Sequence, residues 1–200
     1  MSNQKLKLLH LHTALFFVFI LFIIFRSPCS LYLGRSESGL GVFYDYALTN
    51  SFLNSLLYVY SEAKYFELWT NLSAIIASNL NSPTFLITVY FALIVKLLLL
   101  FYIFFSNSNL LISTMHKFLF ASFATYSTSI TPEIWLTTLH SKNFFGILSF
   151  LMIFQNFNRF SKLKFIFYRF GLIFNGLSSI YSSIFSIIYF YKYIVEKNKI

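Results

Sequence analysis

Acidic residues are the scarcest chemistry in this sequence. Six Asp and Glu stand against 15 Lys and Arg in 200 residues, and charge of either sign makes up only 10% of the chain. Soluble domains are nearer a quarter charged and at most half apolar, so this composition excludes an ordinary soluble domain. A single cysteine, Cys29, excludes an intrachain disulfide and a cysteine metal cluster; it reads as a packing residue at a helix end. The three prolines, Pro28, Pro83 and Pro132, each fall at the edge of an apolar run. Glycine is also sparse, and there is no Gly-rich phosphate loop, helix-turn-helix pattern or RNP motif. The net charge of +9 therefore points to topology anchors and anionic lipid, not to nucleic acid.

What is abundant is apolar and aromatic: 58% hydrophobic residues, with 28 Phe and 14 Tyr. No soluble core hides that much apolar surface, so lipid must be the solvent for much of it. At roughly 20 residues per span, the chain has room for about four to six helices. We expect an all-α, polytopic transmembrane bundle of about five spans, forming one membrane domain over residues 1–200. The expected spans are 8–25, 84–105, 110–130, 144–157 (short) and 170–195. The first is long, rich in Phe and Ile, and ends in Arg26-Ser27-Pro28 without an Ala-x-Ala-like exit, so it reads as an uncleaved span.

Loop charge sets the expected orientation. Segment 158–169 carries Arg159, Lys162, Lys164 and Arg169 without an acid, and the amino terminus carries Lys5 and Lys7. Both belong in the cytoplasm, which leaves 26–82 and 131–143 outside. Those two loops hold Glu37, Asp45, Glu62, Glu67 and Glu133. The basic carboxyl tail, with Lys192, Lys197 and Lys199, disagrees with a fifth span that exits; a re-entrant last helix is one explanation. Within the first outer loop, Leu53, Leu56, Leu57, Tyr60, Leu68, Leu72, Ile75 and Ile76 recur at helical spacing. That predicts one or two amphipathic surface helices over 51–80, with Asn71 and Ser73 among the residues on the other faces.

The scarce acids are the first candidates for chemistry. A carboxylate at a membrane surface can serve as a general base, or hold a divalent cation that binds a phosphate; the plainer reading of Glu37 and Asp45 is that of solvated loop residues. Glu133, after Pro132, suits a helix start. His140 and Lys142 share its loop. Lys96 lies deep in the second run, where a charge is costly unless it faces the bundle interior. His116-Lys117 reads as an inner-face anchor, and His10 and His12 as interfacial residues with no metal-ligand spacing.

Three stretches carry a family resemblance covering roughly residues 25–150. They are Phe25-Arg26-Ser27-Pro28 leading to Glu37-Ser38-Gly39 and Val42-Phe43-Tyr44-Asp45-Tyr46-Ala47; Tyr65-Phe66-Glu67-Leu68-Trp69-Thr70-Asn71-Leu72-Ser73-Ala74; and Pro132-Glu133-Ile134-Trp135 followed by Thr138-Leu139-His140-Ser141-Lys142-Asn143-Phe144. Together they resemble the amino-terminal part of bacterial polytopic GT-C glycosyltransferases that use a polyprenyl-phosphate sugar donor. The chain departs from that pattern at Ser38, Asn71 and Phe144, where relatives carry an acid, an Arg and a Trp. The resemblance implies inverting transfer to an envelope glycan or lipid-linked acceptor on the outer face of a bacterial inner membrane. Glu37 first and Asp45 second would act as catalytic bases. Arg35 and Lys142 would steady the leaving phosphate, and Glu133 and His140 complete the substrate-binding set. The alternative is a non-catalytic membrane subunit beside a partner membrane subunit, or a truncated remnant of such an enzyme.

Overall fold

The computed structural model describes residues 3–26, 40–62, 64–80, 84–126, 136, 138–155 and 161–197. It is mostly helical. In chain order the elements are α1 (Asn3–Arg26), α2 (Leu40–Thr49), α3 (Phe52–Leu56), β1 (Val59–Tyr60), β2 (Tyr65–Phe66), α4 (Leu68–Asn79), α5 (Thr84–Phe105), α6 (Thr114–Tyr126), α7 (Ser141–Ile153), α8 (Lys162–Ser178) and α9 (Ile180–Lys197).

Side-chain pairings show that α1 and α5 to α9 run alternately in opposite directions. His12 meets Thr114 and Arg26 meets the Thr125 carbonyl, so α1 and α6 run together. Lys96 lies over the Phe144 ring and Tyr102 reaches Gln155, so α5 and α7 also run together. Asn175 meets Ser149 and Ser179 meets Lys142, which sets α8 antiparallel to α7. The bundle thus has a His12 end and a Lys142 end.

Among the described residues two helices, α1 and the 86–105 part of α5, are long and apolar enough to cross a membrane. The expected bundle of about five spans is not confirmed. At 1.5 Å per residue the 13 residues of α7 reach about 20 Å, short of the roughly 30 Å hydrocarbon core. The outward surface is nonetheless strongly apolar: Phe17, Val18, Leu21, Phe118, Phe123, Leu163, Ile166, Phe170, Ile184 and Ile187 are all exposed. Contiguous apolar surface on this scale marks contact with lipid or protein.

The interior is built from α5 and α7. Val89, Val95, Leu99, Ile103 and Phe104 of α5 pack with Phe144, Phe145, Leu151 and Met152 of α7. Two of the inward-reaching cations bond backbone carbonyls near helix ends. Lys117 donates to the Phe104 carbonyl (2.6 Å) and caps the end of α5, while Arg26 donates to Thr125 near the end of α6. A cation at a helix carboxyl end is favoured by the dipole. Lys117 is thus a buried cap, and His12 lies within α1 with its ring buried against the protein.

Three expectations need correction. The segment 51–80 is not helical throughout. The short helix α3 leads into a hairpin with Val59 opposite Phe66 and Tyr60 opposite Tyr65, turned by Lys64 at φ 50°, before α4 begins. The face of α4 that turns inward is also the polar one. Thr70, Asn71, Ser73, Ala74 and Ala77 are buried with Ile75, while Ile76 is exposed; Leu53 and Leu57 are each 61% exposed. With apolar residues free to face lipid, the polar ones take the protein-facing side. Finally, the run 170–195, expected as one helix, breaks at Ser179 (φ −160°, ψ 128°) into the antiparallel pair α8 and α9. Ser183 Oγ donates back to the Gly176 carbonyl at 2.8 Å, and the Tyr168 and Tyr189 rings meet across the pair. Gly146 of α7 makes room for α9, since a Cβ there would lie 2.9 Å from that of Tyr181.

The hairpin predicts an accessibility pattern. With Cys29 replaced by Ala, cysteines at Ser161 and Lys197 should label from one side of the membrane and a cysteine at the exposed Glu62 from the other. Labelling of positions 161 and 197 from opposite sides would restore a single continuous helix.

Candidate functional site at the Lys142 end

Polar chemistry concentrates where the start of α4 meets the start of α7. Strand β2 delivers the chain into α4, and Glu67 takes the N-cap position, where the positive end of the dipole favours an acid. Its side chain is buried. One oxygen, Oε1, lies 3.1 Å from Lys142 Nζ, and Oε2 accepts a hydrogen bond from Thr70 Oγ1 at 2.8 Å. Lys142, in the first turn of α7, keeps a quarter of its side chain exposed. Its ammonium also lies over the Tyr65 ring, 4.7 Å from the centroid. A cation at a helix amino terminus is placed against the dipole, so Lys142 needs its anion.

The surrounding groups fix this pair. Ser179 Oγ, at the α8–α9 break, donates to the Lys142 carbonyl at 2.7 Å. Asn71 donates both amide hydrogens, to the Leu56 and Tyr58 carbonyls at 2.9 Å each, tying α4 to the segment before β1. Trp69 donates to the Phe91 carbonyl (3.2 Å) and packs among Phe91, Phe145 and Phe174, joining α4 to α5, α7 and α8.

Electrostatics follow from burial. Desolvation raises the Glu67 carboxyl above its ordinary value, and the opposing pull of Lys142 and the Thr70 hydrogen bond does not fully cancel it. Burial, then the charge of Glu67, pushes the Tyr65 phenol up to about 12. Half-buried His140 is lowered, first by desolvation and then by Lys142, so it is neutral at neutral pH.

Of the expected site residues, Lys142 and His140 lie here, next to each other at the start of α7. Asp45 lies on the exposed face of α2, which packs against α4. Arg35, Glu37 and Glu133 lie outside the described residues. Among the described residues no group of three His, Cys, Asp or Glu side chains could hold a metal ion. Sequence reasoning passed over Glu67 and Thr70 as a pair. The available signal was an acid at a helix start, where the dipole favours it, with a hydroxyl three residues on. Lys142 as its partner, 75 residues away, has no local signature.

No protein-family model, curated protein or solved structure matches the chain.

The ion pair yields a test by linkage. An acid whose folded pKa is raised holds its proton more tightly when folded. Stability then falls as pH rises from the ordinary Glu value of 4.5 through the raised value. In detergent, Glu67→Gln should flatten this part of the stability profile. Lys142→Met should extend it upward and cost about 3 kcal/mol at neutral pH, because it strands a buried carboxylate. The double variant should recover most of that loss. A double variant no more stable than Lys142→Met would show that the pair is not coupled.

Proposed function

We propose that the chain is a multi-pass protein of a bacterial inner membrane with its amino terminus in the cytoplasm. We propose further that it acts on the outer face as a GT-C-like glycosyltransferase, using a polyprenyl-phosphate-linked sugar and delivering it to an envelope glycan or lipid-linked acceptor. The observation that carries this reading is the junction of the two expected outer loops at Glu67 and Lys142. The site joins a partly exposed ammonium to a helix amino terminus, two features that both attract phosphate. Burial of Glu67 fixes the ammonium in place, so little reorganisation is needed as charge develops on a leaving group.

In the proposed reaction the acceptor hydroxyl oxygen bonds to the anomeric carbon as the bond from that carbon to the phosphate oxygen breaks. The phosphate leaves with the electron pair beside Lys142. The hydroxyl proton passes to a carboxylate, Glu37 or, second, Asp45 on α2. Any divalent cation would serve the phosphate. A second reading, a non-catalytic subunit with a partner in the membrane, is favoured by Asn71. Where the resembled family carries a phosphate-contacting Arg, this side chain spends both its hydrogens on backbone carbonyls.

Glycan profiles separate the two. A strain lacking the gene should lose a sugar, which the wild-type chain restores. Glu37→Gln should lower transfer about 10²–10⁴-fold, with a smaller effect from Asp45→Asn and normal membrane insertion in both. A profile unchanged by deletion would end the enzyme reading. A profile changed by deletion but restored by both variants would point to the partner-subunit reading.

A further inference from the structure

At the opposite, His12 end of the bundle lies a cavity of about 620 Å³ between the first turns of α1, the segment 106–113 and the start of α6. Among the described residues its charged lining is cationic: Lys5 and Lys117 reach it, with His12 beside them, and no described Asp or Glu does. Its polar wall is Ser106, Asn107, Ser108, Asn109, Ser113 and Thr114. His12 Nε2 and Thr114 Oγ1 are 3.1 Å apart, which ties α1 to α6 at the back of the cavity. Ser113 Oγ accepts from the His116 amide, so one early N–H of α6 is already satisfied. Lys117 binds the carbonyls of Phe104 and Ser106, which neutralises the negative end of the α5 dipole where it faces the cavity. The remaining wall is apolar, from Leu8, Leu9, Phe105 and strongly exposed Ile112. A second cavity of about 460 Å³ adjoins it, sharing Lys5 and Leu8 and adding Lys7.

We propose that this cavity binds the phosphate-bearing headgroup of an anionic lipid, with the acyl chains lying along the exposed apolar residues of α1 and the segment before α6. Three features of the cavity converge on that chemistry. Its volume suits a small polar ligand. Its charge is of one sign, with hydroxyl and amide groups able to bond phosphate oxygens. Its walls are half polar and half apolar, which matches a molecule with a charged head and a hydrocarbon body and does not match a free sugar or nucleotide. Basic pockets of this kind between helices at the cytoplasmic end bind phospholipid headgroups. The site requires the membrane reading but not glycosyl transfer, and it lies at the far end of the bundle from Glu67 and Lys142.

The test is lipid retention by the full-length protein in detergent, measured by native mass spectrometry after incubation with phosphatidylglycerol or phosphatidylcholine. Phosphatidylglycerol should be retained in preference. Lys5→Gln removes one exposed cation and should weaken that retention about fivefold. Asn107→Trp, at an exposed lining position, should fill the cavity and abolish the preference. Both variants should keep the wild-type thermal unfolding midpoint, since neither position is buried. Inorganic phosphate supplies the second arm. If it binds lipid-free protein and displaces phosphatidylglycerol, the phosphate site stands but serves a soluble phosphate compound. Equal retention of the two lipids with no phosphate binding would overturn the proposal, as would a preference unchanged in both variants.

Discussion

A buried carboxylate must have a cation, and in this chain that requirement joins two segments 75 residues apart. At 3.1 Å the attraction between Glu67 and Lys142 is about 5 kcal/mol at an effective dielectric near 20, against a desolvation cost of several kcal/mol for a buried ion. The raised Glu67 carboxyl shows that desolvation is the larger of the two for that group. The pair therefore contributes position more than net stability. Once Glu67 is fixed at the head of α4, Trp69 reaches α5, α7 and α8, and Asn71 closes onto the segment before β1. Lys142 in turn fixes the head of α7, whose carbonyl receives Ser179 from the α8–α9 break.

The same physics governs the rest of the interior. Thr70, Ser73, Ser149, Asn175, Ser179 and Ser182 are buried, while large apolar side chains cover the outside. In a chain so short of charge, two of the long cations reach carbonyls near helix ends, while Lys96 is buried in mid-helix over the Phe144 ring. Lys117 closes α5, satisfying a Phe104 carbonyl at the helix end without water, and Arg26 bonds the Thr125 carbonyl of α6.

The long apolar helices were legible because composition alone dictates them. The run 84–105 has no competing pattern and appears as α5 with those bounds. The helix break at Ser179 was not legible as such. Gly176-Leu177-Ser178-Ser179-Ile180 contains no proline, and apolar residues continue on both sides; the break is set by packing of α9 on Gly146 and by the Lys142 carbonyl. Nor was the inward face of α4. A helical period locates an apolar stripe but does not say whether core or lipid receives it, and here the small polar residues Thr70, Asn71 and Ser73 take the interior. At the site, Lys142 was legible as an isolated cation in an outer loop. Glu67 was hidden because its role depends on a partner distant in sequence.

The α8–α9 hairpin bears on one conflict that charge alone left open. Counting one span over 170–195 sends Lys192, Lys197 and Lys199 outside, against the positive-inside tendency. In the folded chain, α8 rises from Ser161 toward the Lys142 end and α9 returns, with Gly176 meeting Ser183 and Tyr168 meeting Tyr189. The end of α9 therefore lies on the same side as the start of α8. Lys164 and Arg169 of α8, Lys5 and Lys7 of α1, and the end of α9 then share the His12 end, while Glu62 and Glu67 sit toward the other. Lys64 and Lys142 lie toward that other end as well, so the cations are not all sorted to one end. α7 packs against α5, α8 and α9, so the polar groups along it meet protein and not lipid.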